Sequence, residues 1–282
     1  MPAILRLVRI GNVAVSFAGT VVGALAAAGL GIPAVAGVWL PIVLASLSTA
    51  AVTAAGNVLN DLGDVAVDRT AHPERPLVRG EISRAGARTL CVGLFVAGGA
   101  LMIPVAIEQP LVAAIYLIAV ASLIGYEFRA KAAGLGGNAL VALLTGLVFL
   151  YGGAAVGQIL PVVPFAAMAF LATLSREVTK DMEDQDADLD RRTLPRVHGV
   201  AVASAVARGA IGIALAASAV PLLGTVGVTS LAGIMYLALV LIADGVFVLS
   251  VAYLPRRLHW EQSVSKGAMG IALFAFLAVA FR

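Results

Sequence analysis

The sequence predicts an all-α integral membrane protein, a bundle of nine transmembrane helices with helical segments capping its cytoplasmic side. Three observations carry this reading. The 282-residue chain is 61% hydrophobic and 12% charged, with a mean hydropathy of +1.00, whereas soluble domains carry about 25% charge. Apolar runs of about 20 residues recur from end to end, the length that crosses a ~30 Å hydrocarbon core. The charges gather in alternate gaps between those runs. At this length, residues 1–282 are expected to form one integral-membrane domain with no room for a separate soluble one.

The apolar segments fall at roughly 11–31, 36–59, 86–106, 109–125, 138–157, 161–176, 200–222, 226–252 and 264–281. Arg6 and Arg9 precede the first, and "ALAAAG" within it offers small residues for cleavage. A signal peptide is rejected, because the run is longer than a usual apolar core and many similar runs follow. The gaps near 32–35, 107–108, 158–160 and 223–225 are short and hold one charge, Glu108. Those near 60–85, 126–137, 177–199 and 253–263 are longer and hold nearly all the others. Lysine and arginine mark the cytoplasmic side. The N-terminus and all four charged gaps are therefore expected inside, and after nine spans the C-terminus outside.

The net charge of +3 is modest, and the basic residues read as topology signals rather than as a nucleic-acid patch. Arg84, Arg88, Arg256 and Arg257 are read as such anchors. Cys91 is the only cysteine, so no intrachain disulfide forms, and no zinc-type Cys/His spacing occurs. Arg88, Arg208 and Lys266 sit in the cytoplasmic halves of their spans, where long side chains snorkel to the interface. Asp244 lies inside the eighth span, either on a polar path or paired within the bundle. Glycine pairs such as Gly153-x-x-x-Gly157 and Gly209-x-x-Gly212 suggest close helix packing in lipid.

The chemistry concentrates in two stretches. "NVLNDLGDVAVDRTAHPERPLVRG" (Asn57 to Gly80) carries Asp61, Asp64 and Asp68; a later stretch carries Asp181, Asp184 and Asp188. Both trios read D-x-x-D-x-x-x-D, offset by 120 residues at all three positions. Steps of three and four put each trio on one face of a helix. Asn57 and Asn60 lie one turn before Asp61 and Asp64, and Glu177 one turn before Asp181. "RPLVRGEIS" and "TLPRVHGVA" follow the trios, each with a proline and then a glycine before a new apolar run. The pattern suggests a weak internal duplication with a pseudo-two-fold arrangement. A solvated loop would tolerate one acidic run, but two runs with matched spacing at the cytoplasmic ends of spans call for a ligand.

Hard oxygen donors without cysteine or histidine favour Mg²⁺. Magnesium joins one or two carboxylates to substrate phosphates. Arg69, Arg75, Arg79, Lys131, Lys180, Arg192 and Arg196 lie around the trios and are candidates to neutralise phosphate oxygens. A diphosphate site at the mouth of an apolar bundle suggests a substrate with a charged head and a long apolar tail, as in a polyprenyl diphosphate. Ionisation of its allylic carbon–oxygen bond would be favoured by metal and cations at the departing pyrophosphate.

These residues resemble the UbiA superfamily of intramembrane prenyltransferases. "NDLGDVAVD" (Asn60 to Asp68) is similar to its N-D-x-x-D-x-x-x-D motif, and "HPERPLVRG" (His72 to Gly80) to the R-P-x-x-x-G segment that follows. "YEFRAKAAGLGGN" (Tyr126 to Asn138) resembles its tyrosine, lysine and glycine-asparagine segment. "REVTKDMEDQDADLDRRTLP" (Arg176 to Pro195) resembles its second aspartate motif. The resemblance implies nine helices around a central cavity, Mg²⁺ and a polyprenyl diphosphate donor. It implies metal binding by Asn60, Asp61, Asp64, Asp68, Asp181, Asp184 and Asp188, and diphosphate binding by Arg75, Lys131 and Lys180, beside Asn57 and Arg79. Tyr126 matches a position near the reacting carbon, and Asp64, Asp68, Asp184 and Asp188 are the implied catalytic carboxylates.

The wording R-E-x-x-K-D-x-E-D with T-L-P after it is most similar to the archaeal ether-lipid branch. That implies geranylgeranyl diphosphate as donor and the free hydroxyl of geranylgeranylglyceryl phosphate as acceptor. Ala187 stands where glycine is common, and Arg79 where a small residue is common; neither change removes a metal ligand. Two rivals remain. One keeps the chemistry with an aromatic acceptor, 4-hydroxybenzoate or a quinone precursor. The other is a cation or proton transporter, which predicts acids spread along the spans rather than at one level.

Overall fold

The computed structural model describes residues 1–29, 37–130, 134–185 and 192–282. Lys131 and Asp188 lie outside the described residues. Among those described, nine helices are long and apolar enough to cross a membrane, and there are no strands. In chain order they are α1 (Ile10–Ala28), α2 (Trp39–Ala71), α3 (Arg84–Glu108), α4 (Pro110–Gly125), α5 (Leu135–Ala155), α6 (Val163–Glu183), α7 (Val200–Ala217), α8 (Leu231–Ala252) and α9 (Leu258–Ala278). Short helices Ala3–Leu7 and Leu194–His198 and a π-turn at Tyr126–Ala130 sit at the charged end, as capping segments.

The spans match the predicted segments, but helices run further at the charged end. α2 has 33 residues, roughly 50 Å of helix, against a hydrocarbon core of ~30 Å. Its last turns therefore carry the first aspartate trio clear of the lipid as a rigid rod. The second trio differs from expectation. α6 ends at Glu183, so Asp181 is helical while Asp184 is the C-cap with φ −85° and ψ 7°. Asp188, the third of the trio, lies outside the described residues, so the shared helical face is described only for Asp181 and the C-cap Asp184.

Packing repeats along the chain. α1 packs on α2 as α5 packs on α6; α2 on α3 as α6 on α7; α3 on α4 as α7 on α8. α1 also meets α5 directly, and α9 closes the bundle against α8, α6 and α1. This is the arrangement expected of a duplicated four-helix unit with one added helix. At the centre, Phe276 of α9 stacks on Phe165 of α6 and Phe149 of α5 at ring distances of 4.6 and 5.6 Å.

The close approach of α1 and α5 rests on different glycines from those expected. A methyl group on Gly152 would lie 2.2 Å from the Thr20 carbonyl oxygen, and one on Gly23 2.6 Å from that of Phe149. Gly153 instead faces Val162 and the Gln158 carbonyl, and Gly157 lies beyond the helix at φ +72°. Gly209 and Gly212 have open space around them. Small residues thus permit backbone contact at α1–α5, not at the two pairs the spacing suggested.

Two intramembrane charges also find partners. Arg208 reaches the last turn of α8, donating to the carbonyls of Val251 at 3.3 Å and Leu254 at 2.5 Å, so it caps a helix rather than snorkelling. Asp244 accepts from Ser218 at 2.8 Å, so it is paired within the bundle. Arg282 donates to the carbonyls of Ala26 and Ala27 at the end of α1 opposite Arg9, so the two termini lie at opposite ends of the bundle.

Candidate active site

The site is built on the end of α2. Helical spacing aligns Asn57, Asn60, Asp61, Asp64 and Asp68, but their surroundings separate them. Asp61 is 2% exposed and Asp68 4%, whereas Asp64 is half-buried. A buried carboxylate needs compensating charge. Asp61 receives two guanidiniums, Arg9 Nη2 at 2.6 Å and Arg75 Nη1 at 3.2 Å. Arg75 also donates to Asp68 at 2.5 Å. The chain returns after α2 through "HPERP", which places Arg75 back against the face it left seven residues earlier. Asn60 accepts from Arg9 at 3.1 Å and donates to Asp64 at 3.2 Å.

The N-terminal segment is part of this assembly. Leu7 and Val8 are buried among Ala54, Val58, Val65, Leu77 and Cys91. Asn57 donates to the Val8 carbonyl at 2.8 Å, so it holds this segment in place. Arg6 pairs with Glu81, and Arg9 then turns into the site with φ 51°, a left-handed conformation. Arg79 points elsewhere: its side chain is 56% exposed and pairs with Glu81 at 3.3 Å.

The second acidic segment closes the end of α6. Asn138, at the start of α5, is buried and donates to Asp181 at 2.7 Å. Lys180 beside it is exposed. Arg176 pairs with Glu177 at 2.5 Å. Residues on either side of the α4–α5 connection touch the two segments. Glu127 accepts from Asn60 at 3.4 Å at one end of the link, and Asn138 binds Asp181 at the other. Tyr126 is half-buried beside Glu127. Gly63 makes room for the link, since a methyl group there would lie 1.8 Å from Glu127 Oε1.

The structure thus brings Asn57, Asn60, Asp61, Asp64, Asp68 and Arg75 into one cluster; Glu127, after α4, touches it at Asn60, and Asn138, in α5, touches Asp181. It places Arg79 away from that cluster. Arg9, Glu127 and Asn138 belong to the assembly although only their presence in charged or motif segments hinted at it. Among the described residues no three acidic, histidine or cysteine side chains converge on one point as a ready cage.

Among the described residues, nine apolar spans with acidic segments at one end define an integral membrane protein with a polar, charged site at the mouth of an apolar bundle. The profile of the UbiA prenyltransferase family matches residues 16–279, so the chain belongs to that family and is a prenyltransferase. It is 36% identical over 275 residues to the digeranylgeranylglyceryl phosphate synthase of Haloquadratum walsbyi, covering 96% of this chain and 92% of that one. A solved digeranylgeranylglyceryl phosphate synthase structure superposes with a TM-score of 0.80 at 28% identity, over 99% of this chain and 98% of the other. A UbiA homologue from Archaeoglobus fulgidus, bound to GPP and Mg²⁺, shares the fold with a TM-score of 0.71 at 19% identity, over 99% and 98% of the two chains.

Proposed function

We propose that the chain transfers a geranylgeranyl group from geranylgeranyl diphosphate to the free hydroxyl of geranylgeranylglyceryl phosphate, with Mg²⁺, in archaeal ether-lipid synthesis. The observation that carries this is the contact of both acidic segments with residues flanking one helix connection, Glu127 with Asn60 and Asn138 with Asp181, at one end of an apolar bundle. The relatives named above support the choice of acceptor, and the Archaeoglobus homologue with GPP and Mg²⁺ supports the donor class and the metal. Residues 1–282 act as one domain. The N-terminus and the acidic segments face the cytoplasm, and the C-terminus lies outside.

The donor set fits Mg²⁺, being carboxylate and amide oxygen without thiolate. When bound, the metal would draw charge from the diphosphate oxygens. Asn60, Asp64, Asp181 and Asp184 would hold it, with Asp188 in the role the family motif implies. Asp61 serves a different end: buried under two guanidiniums, it orients Arg9 and Arg75. Asp68 fixes Arg75 from the other side. Arg75 and Lys180, with Lys131, then meet the phosphate oxygens as the allylic C–O bond breaks and its electron pair leaves with pyrophosphate. Tyr126 stands at the allylic carbon. The acceptor oxygen forms the new C–O bond, and its proton passes to the released diphosphate. The apolar bundle excludes water that would otherwise capture the cation.

Purified protein offered both acceptors in competition is expected to prefer geranylgeranylglyceryl phosphate. A clear preference for 4-hydroxybenzoate or a quinone precursor would refute the acceptor assignment.

A further inference from the structure

Glu261 lies in the first turn of α9, outside every acidic segment discussed so far. It is 0% exposed. Its Oε1 accepts from Ser265 at 2.5 Å, and the Ser250 hydroxyl lies 3.2 Å from that of Ser265 as an alternative acceptor. Thr179 of α6 and Ser250 of α8 line its carboxylate. Its Oε2 has no hydrogen-bond partner among the described residues. Burying a carboxylate costs several kcal/mol unless it is paired and hydrogen-bonded. An apolar side chain would pack there at lower cost. The three hydroxyls also have other acceptors: Thr179 donates to the Ser175 carbonyl, Ser250 to that of Phe247, and Ser265 to Ser250. The carboxylate is therefore not required to satisfy them.

What the same turn of α9 touches is informative. His259 meets Glu183 at 3.1 Å, and Gln262 donates to the other oxygen of Glu183. Glu183 is the last residue of α6, and Asp184 is its C-cap. Glu261 stands one turn deeper, against Thr179. The first turn of α9 therefore grips α6 on both sides of Asp181. The first acidic segment has a comparable brace at the other end of the chain, where Leu7 to Arg9 lie against α2.

We infer that Glu261 is a positioning residue for the second acidic segment: the first turn of α9 fixes the end of α6 through Glu183, and the buried Glu261 seats that turn against α6 so that Asp181 and Asp184 keep their relative placement. This rests on the metal role proposed for Asp181 and Asp184. The stability and the metal response of the protein should then separate. Removing supports behind metal-binding groups typically weakens metal affinity about 10–100-fold.

The test compares Glu261→Leu, Glu261→Gln and His259→Ala/Gln262→Ala with the full-length wild type in detergent. Thermal unfolding is followed together with Mn²⁺ binding by electron paramagnetic resonance in the presence of pyrophosphate, and with the Mg²⁺ dependence of transfer. Glu261→Leu is expected to melt at or above the wild-type temperature, yet to bind Mn²⁺ about tenfold more weakly. Glu261→Gln keeps the Ser265 bond and should fall between the two. The double variant, which loosens Glu183 without touching the buried site, should also weaken Mn²⁺ binding. Wild-type Mn²⁺ binding in Glu261→Gln and in the double variant overturns the inference, whether or not Glu261→Leu folds. Asp184→Ala separates the two claims. If it leaves Mn²⁺ binding intact, the metal role falls; if it abolishes binding while the Glu261 variants bind normally, only the positioning role falls.

Discussion

The Arg9 guanidinium stands 2.6 Å from the Asp61 carboxylate, joining the start of the chain to the first acidic segment 52 positions later. Arg9 makes this contact from a left-handed backbone at φ 51°. Such a conformation costs a non-glycine residue about 1–2 kcal/mol. The segment before Arg9 is buried and hydrogen-bonded, which holds the strained turn in place.

Two replacements at Arg9 separate its backbone from its charge. Both Arg9→Gly and Arg9→Ala remove the guanidinium and should lower transfer. Glycine also relieves the turn. Arg9→Gly is expected to be the more stable by about 0.5–1 kcal/mol, the left-handed relief less glycine's added chain entropy. Thermal unfolding of the two variants in detergent checks this, and equal stability would contradict it.

Asn138 tests the contact with the second segment. Asn138→Ala removes the donor to Asp181, and Asn138→Asp replaces it with a like charge at 2.7 Å. Losing a hydrogen bond to a charged group costs about 1.5–3 kcal/mol. Asn138→Asp should reduce kcat/KM more than Asn138→Ala. The reverse order would argue that the contact does not place Asp181.

Gly63→Ala tests the other end of the link. The added methyl group cannot coexist with Glu127 where it now lies, 1.8 Å away. Glu127 must swing aside and release Asn60. Transfer should fall in Gly63→Ala, and Glu127→Ala should cost little further in that background. Fully additive losses in this double-mutant cycle would show that the two residues are uncoupled.

Gly152→Ala addresses the fold. Its methyl group meets the α1 backbone, at 2.2 Å from the Thr20 oxygen and 2.7 Å from the Ala24 nitrogen. Backbone atoms cannot rotate away, so α1 and α5 must separate. A loss of about 3 kcal/mol is expected. Gly209→Ala, with open space around it, should be near neutral in the same unfolding measurement.

Much of this architecture was legible in the sequence, because lipid forces every span to be an apolar run of a certain length. The helix ends were less so. Hydropathy marks where the hydrocarbon stops, not where the helix stops, so α2 continues to Ala71, α6 continues to Glu183 and α9 begins at Leu258. Polar side chains beyond the membrane are solvated on a helix as readily as in a loop. The acidic segments were visible from their spacing, but their internal division was not. Nothing local distinguishes Asp61 from Asp64; the difference comes from Arg9 and Arg75, which tertiary folding delivers from elsewhere. Glycine spacing misled for the same reason. Gly153 and Gly157 have the spacing of a packing motif, but Gly152 is the residue whose direction points at α1.

The central claim is that the two acidic segments form one metal-dependent diphosphate site. The most direct measurement is transfer from geranylgeranyl diphosphate to geranylgeranylglyceryl phosphate by purified wild type, Asp64→Ala and Asp184→Ala, each with Mg²⁺ and with excess chelator. Product is expected only with wild type and metal, with a loss of at least about 100-fold in each variant, since the carboxylates act as a unit. Full activity in either variant, or unchanged turnover in chelator, would contradict the claim.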